Sequence, residues 1–182
     1  SLKNVEHFLL LQKKKKINTT KEISGEEILI HLKKDLSLKK KPKHMECFDN
    51  SNFQGTNAVS ACVVFKNAKP SKKEYRHFNI KTVSGPDDFA SMREVVFRRY
   101  KRLIKEKKSM PDLVLIDGGK GQLSAAYSAI KELNLENKII VLGIAKREEE
   151  LFFAGKTNPL ILNKASASLK TLQFMRDEAH RF

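Results

Sequence analysis

Two cysteines in 182 residues exclude a disulfide framework and a cysteine-built zinc site. Both Cys47 and Cys62 sit in strand-like apolar runs, where cysteine acts as a small buried hydrophobe. No apolar stretch approaches the ~18 residues of a membrane span. No signal-peptide pattern opens the sequence, so the expected compartment is a reducing cytoplasm. No internal repeat is present. The glycine-rich turn Gly118-Gly119-Lys120-Gly121-Gln122 is not a P-loop. Val114 stands where the first glycine should be, and Gly121 replaces the Ser/Thr after lysine. A nucleotide-binding ATPase is excluded on that ground. Acids are also scarce: 21 Asp and Glu against 36 Lys and Arg, a net charge of +15. Such an excess favours nucleic acid as partner.

The charge is unevenly spread. Residues 1–44 hold 12 Lys, no Arg and 5 acids. They include Lys13-Lys14-Lys15-Lys16 and Lys39-Lys40-Lys41-Pro42-Lys43. Val5 to Leu11 reads as one short helix. Ser24 and Glu27 form a capping box that opens another through Ile28, Ile30 and Leu32. This part reads as a basic helical linker, mobile at its lysine runs and packing little against residues 45–182.

From residue 45 the pattern turns to strands, at 45–49, 58–65 and 74–80, with polar breaks short enough for antiparallel neighbours. Gly85-Pro86-Asp87-Asp88 then opens a helix running to about residue 107. A strand at 112–117, a helix from 120 to 133, a strand at 138–144, short strand-like pieces at 151–153 and 160–162, and a last helix from 166 follow. Three antiparallel strands, then alternating helices and strands, is the order of an α/β ribonuclease H-like fold: a mixed sheet flanked by helices.

Two strand-like runs end in an aspartate. Leu113 to Ile116 stops at Asp117, and Met45 to Phe48 stops at Asp49. Open α/β sheets bind their ligands at the carboxyl ends of strands. Carboxylates buried there are costly unless paired or metal-bound, and their hard oxygens suit Mg²⁺ or Mn²⁺. Each could instead cap a turn. In the last helix, 100° per residue places His180 on the side of Leu169, Leu172 and Arg176, facing the body, with Glu178 opposite. On the first long helix Glu94 lies roughly 160° from the stripe Phe89, Met92, Val96, Tyr100 and Leu103, and so reads as solvated. Lys120 at a glycine-rich helix start could contact phosphate, as could Lys146 and Arg147 after a strand end. The three glutamates that follow them are expected to lie outside. Arg98 and Arg99 on a basic helix are further candidates for DNA contact.

Several motifs together resemble the family of carboxyl-terminal endonuclease domains of UvrC, the nuclease of bacterial nucleotide excision repair. They are Glu46-Cys47-Phe48-Asp49, Gln54-Gly55-Thr56, Phe89-Ala90-Ser91-Met92-Arg93-Glu94, Arg98-Arg99-Tyr100, Pro111 through Leu123, Ala145-Lys146-Arg147-Glu148-Glu149 and Arg176-Asp177-Glu178-Ala179-His180-Arg181-Phe182. They span residues 45–182 in order. The resemblance implies an Asp-Asp-His triad at Asp49, Asp117 and His180, both catalytic and metal-binding. It implies a divalent cation, Mg²⁺ or Mn²⁺, and the 5′ incision of damaged double-stranded DNA. UvrB, in a UvrA-dependent pathway, is the implied partner, through parts lying outside this chain, and the chain itself is expected to be monomeric. Many family members read Ile-Ser-His after the first aspartate, where this chain has Asn50-Ser51-Asn52. The family's helix-hairpin-helix module would follow residue 182, and its GIY-YIG nuclease would precede residue 1. The alternative reading is a ribonuclease H-like DNA-binding module without catalysis.

Overall fold

The computed structural model describes residues 2–17, 22–53, 57–83, 87–147 and 149–182. The Gln54-Gly55-Thr56 break, the Ser84-Gly85-Pro86 helix start and Glu148 lie outside them. Helices α1 (Leu2–Ile17) and α2 (Gly25–Asp35) lead. Strands β1 (His44–Phe53), β2 (Asn57–Lys66), β3 (Lys69–Pro70) and β4 (Arg76–Asn79) follow. Then come α3 (Asp88–Lys105), β5 (Leu113–Asp117), α4 (Lys120–Glu132), β6 (Ile140–Ile144), β7 (Leu151–Phe153) and α5 (Ala167–Arg181).

The sheet runs β3-β2-β1-β5-β6-β7, with β4 also paired to β2. β2 is antiparallel to β1, β3 and β4. β1, β5 and β6 are parallel, and β7 closes the edge antiparallel to β6. This is the expected ribonuclease H-like mixed sheet. Leu160 makes only an isolated bridge to Leu151 rather than a strand. β5 is buried at every position, as a strand covered on both faces must be.

Period-two alternation sorts the central strands onto two faces. Met45, Cys47, Leu113, Leu115, Leu142 and Ile144 pack with Leu29 and Leu32 of α2 and Leu172, Met175 and Ala179 of α5. Phe48, Val114, Ile116 and Val141 pack with Met92, Val96 and Tyr100 of α3 and Ala126 and Ile130 of α4. Asp49 and Asp117 continue the first set, so they belong to the face that α5 covers.

The reading of residues 1–44 as linker needs correction. Leu29 and Leu32 are fully buried and Leu36 nearly so. Asp35 accepts from Ser168 Oγ of α5 at 2.7 Å, and a side chain on Gly25 would collide with the carbonyl of Asn67. The second lysine run is also engaged: Lys40 pairs with Asp112 at 2.9 Å, Lys41 pairs with Glu26 and Pro42 is buried. The folded unit therefore begins near Ser24, whose side chain caps α2. Lysine-rich segments were read as solvated, but their stems cover surface while their heads remain in water. Lys13 to Lys16 fall within α1, and the described side chains of α1, Lys3 to Leu10, are exposed.

Candidate active site

β1 and β5 stay in register to Phe48↔Ile116. The next residue on each strand is an aspartate. Neighbouring strands lie about 4.8 Å apart, so Asp49 and Asp117 stand side by side where the parallel pairing ends. Both are buried, at 8% and 6% exposure. The turn after Asp117 is shaped by Gln122, whose Oε1 accepts from Gly119 N–H at 3.0 Å. That side chain fills the space a Cβ on Gly118 would need.

The electrostatics of Asp117 are unlike those of a structural turn cap. Its Oδ1 is buried without a hydrogen-bond partner. Loss of water and the charge of Asp49 together raise its carboxyl to about 6, against the opposing pull of Lys146, Arg176 and His180. Two crowded carboxylates, one with an orphaned oxygen, suit a hard divalent cation. Among the described residues no three of His, Cys, Asp and Glu converge into a closed metal cage. An open carboxylate pair fits Mg²⁺, which keeps several waters and takes its other ligands from phosphate.

His180 arrives from the last turn of α5. Its Nδ1 lies 3.1 Å from Asp49 Oδ2, which joins residues 131 apart in sequence. It approaches from the open side, with its side chain 75% exposed. The expectation of a buried ring is corrected. The same turn of α5 buries Ala179 but leaves the neighbouring ring of His180 at the rim of the cleft. Glu178, expected on the far side, is instead buried: it accepts from Tyr75 Oη at 2.9 Å and pairs with Arg181.

Two clefts meet at His180. One, about 300 Å³, is lined by Asp117, Lys146, Glu149, Arg176, Asp177 and His180. The other, about 620 Å³, lies toward β2 and β4 and includes Asp49, His77 and Phe182. Lys146 is exposed on the first cleft, and Arg147 is exposed beside it. Lys120 is exposed at the start of α4, with its ammonium 5.2 Å from the Phe152 ring centre.

Several sequence readings do not hold. Glu149 was expected outside, yet it lines the cleft, accepts from Gln173 and lies 3.7 Å from Arg176. Arg176 and Glu149 thus join the site. Only the position of Arg176 near His180 on the helix wheel could have signalled this. Arg99 is withdrawn as a DNA contact: its guanidinium is turned inward onto Glu46, with bonds of 3.1 and 2.9 Å. Arg98 is likewise committed, to the Asn79 carbonyl at 2.7 Å and to Glu94 at 3.0 Å. Glu94 is not solvated. The backbone N–H groups of Lys81 and Thr82, the Thr82 hydroxyl and Arg98 all donate to it. Burial raises its carboxyl, but these donors prevail and hold it near 2. The side of α3 away from the apolar stripe is covered by the segment after β4, which a helical wheel does not show.

Comparison with known proteins places these residues in context. The UvrC RNAse H endonuclease domain matches residues 33–182. The UvrABC system protein C of Flavobacterium psychrophilum is 57% identical over 182 residues, covering all of this chain and 30% of that protein. The protein of the same name from Christiangramia forsetii is 61% identical over 155 residues, covering 85% of this chain and 26% of its own length. The chain thus spans about a third or less of the curated relatives it matches. Among solved structures, an Endonuclease V of Ciona intestinalis in complex with inosine-containing DNA aligns with a TM-score of 0.42 and 24% identity. That alignment covers 57% of this chain and 46% of the other.

Proposed function

Because the chain belongs to the UvrC RNAse H endonuclease domain family, we propose that it is a divalent-metal-dependent endodeoxyribonuclease, making the 5′ incision beside damaged nucleotides in cytoplasmic excision repair. The observation that carries this reading is the orphaned Oδ1 of Asp117, held at a raised pKa beside Asp49 and within reach of His180.

Asp49 and Asp117 would hold Mg²⁺ or Mn²⁺ between the strand ends. When bound, the cation supplies an activated water and neutralises charge building on the phosphorus centre. The protein's own groups do the rest. Asp49 orients the imidazole of His180 through Nδ1, leaving the exposed side of the ring toward the cleft. From there it can move a proton to or from an oxygen of the scissile phosphate. Lys146 and Arg176 border the same cleft and offer cations to the phosphate backbone, while Glu149 holds the Arg176 guanidinium in place. Arg147 and Lys120 sit further out as backbone contacts. Damaged double-stranded DNA is the substrate under this reading. UvrB, in a UvrA-dependent pathway, would present it through segments of the relatives that this chain does not cover.

A nicking assay with Mn²⁺ on a lesion-bearing duplex tests it, using the full-length protein and scoring the 5′ cut alone. Asp49→Asn and Asp117→Asn should each abolish that cut, because an amide is a poor ligand for a hard cation. In parallel, Mn²⁺ should raise the melting temperature of the wild-type chain and not of either variant. Metal-independent cutting, or binding without any cutting, would refute the proposal; the latter would favour a non-catalytic DNA-binding module.

A further inference from the structure

The apolar stripe of α3 is Phe89, Met92, Val96, Tyr100 and Leu103. All but Phe89 are buried, whereas Phe89 is 53% exposed. The stripe thus continues past the core, and its amino-terminal member stands in water. That position is held firmly. The Phe89 ring rests on Gly121 so closely that any side chain there would collide with three of its atoms. Gly121 lies in the turn that follows Asp117. From the other side, Asn50 Nδ2, next to Asp49, donates to the Asp88 carbonyl at 3.2 Å. The first turn of α3 is therefore tied to the residues just after both aspartates. A half-exposed aromatic ring thus stands near the ends of β1 and β5, on the α3–α4 side of the sheet, across from the α5 side that Asp49 and Asp117 face.

A phenyl ring offers no charge to phosphate and no donor to a base edge. It offers a π-face, which every nucleobase can stack on. Asp87 and Asp88 directly precede the ring, but the chain as a whole carries +15 and Lys120 is exposed one residue before Gly121. We propose that Phe89 is a stacking platform for an unpaired nucleobase beside the phosphate that is cut at Asp49 and Asp117. It is a positioning residue, and this role rests on the nuclease reading above. Gly121 is then a fitted partner: it lacks a side chain so that the ring can sit over the turn. Stacking of this kind tolerates any base, so it positions the strand without reading its sequence.

The test uses a single-stranded oligonucleotide carrying 2-aminopurine, in EDTA so that it is not cut. Its fluorescence falls when the base stacks. The wild-type chain should bind and quench it. Phe89→Leu should weaken binding about 10-fold and remove the quenching, while Phe89→Trp retains both. The slope of affinity against salt should be the same in all three, because no phosphate contact is changed. Melting temperatures of the Phe89 variants should stay within a few degrees of wild type, since the ring is half in water. Gly121→Ala provides a second route, displacing the ring without altering it, and should also reduce quenching. Equal affinity and quenching in Phe89→Leu and wild type would overturn the platform while leaving the nuclease reading intact. Failure of the wild-type chain to bind the oligonucleotide would likewise overturn the platform, whereas the nuclease reading stands or falls on the nicking assay.

Discussion

Glu46 and Asp117 are both carboxylates buried within the central strands, and they are opposites in every other respect. Glu46 faces α3. It receives two bonds from Arg99, one from Tyr100 Oη at 2.8 Å, and has His44 Nε2 at 2.8 Å. Burial pushes its carboxyl up, but His44 and Arg99 outweigh this and hold it at about 2. Asp117 faces α5 with an unpartnered oxygen and a carboxyl raised to about 6. Burial alone therefore does not mark a functional carboxylate. The balance of partners does: a satisfied carboxylate is cement, and an orphaned one beside a like charge is a candidate functional group.

Breaking the satisfied cluster should have the largest effect on stability. Glu46→Gln leaves the Arg99 guanidinium buried without its counter-charge and should cost about 3–5 kcal/mol, read from urea unfolding. A change below ~1 kcal/mol would mean that the Glu46 cluster adds little to the fold. The core beneath the aspartate pair can be tested with Leu32→Ala, which should cost about 2–5 kcal/mol. Leu32 is fully buried in the same core as Cys47 and Leu115. A change of only a few tenths would restore the linker reading of residues 25–44.

The two carboxylates should also show opposite pH dependence in metal-free buffer. Glu46 has a folded pKa below its ordinary 4.5, so its contribution is fully present above that value and fades as pH falls toward 2. Asp117 has a folded pKa above its ordinary 3.8, so folding loses stability as pH rises from there to about 6. Asp117→Asn should therefore be more stable than wild type above pH 6, by on the order of 1–3 kcal/mol. The difference should vanish below pH 3.8. Melting curves across pH decide it: a gain that does not grow with pH would mean that Asp117 is not strained. The smallest stability effect belongs to His180→Ala, within about 0.5 kcal/mol, because the ring is largely in solvent. The same substitution should remove the 5′ cut by the full-length protein. An unchanged cutting rate would take His180 out of the site.

Much of this was readable along the chain. Asp49 and Asp117 stood out because each terminates an apolar run, whereas the helical wheel only turned His180 toward the body and the family motif Arg176 to Phe182 made it a candidate. The failures share a cause. Glu94 and Glu178 sit away from their helices' apolar stripes, yet each is buried by a segment outside its own helix: the one after β4, 13 residues before Glu94, and Tyr75, 103 residues before Glu178. Arg99 looked like one more cation on a basic helix until Glu46, 53 residues away, was seen beneath it. The helix 25–35 was obscured by its lysines, although Leu29 and Leu32 already carried the core-facing spacing.

What the sequence determined by itself is local and periodic. Apolar runs on β1 and β5 each stop at an aspartate, period 3.6 gives the helix faces, and the excess of lysine sets the sign of the partner. Which buried charge is satisfied and which is left open was decided only by the tertiary structure. The cost of burying a carboxylate depends on the water removed and the donors delivered, and here much of both comes from remote segments: Arg99 and Tyr100 lie 53 and 54 residues from Glu46, and His180 lies 131 from Asp49.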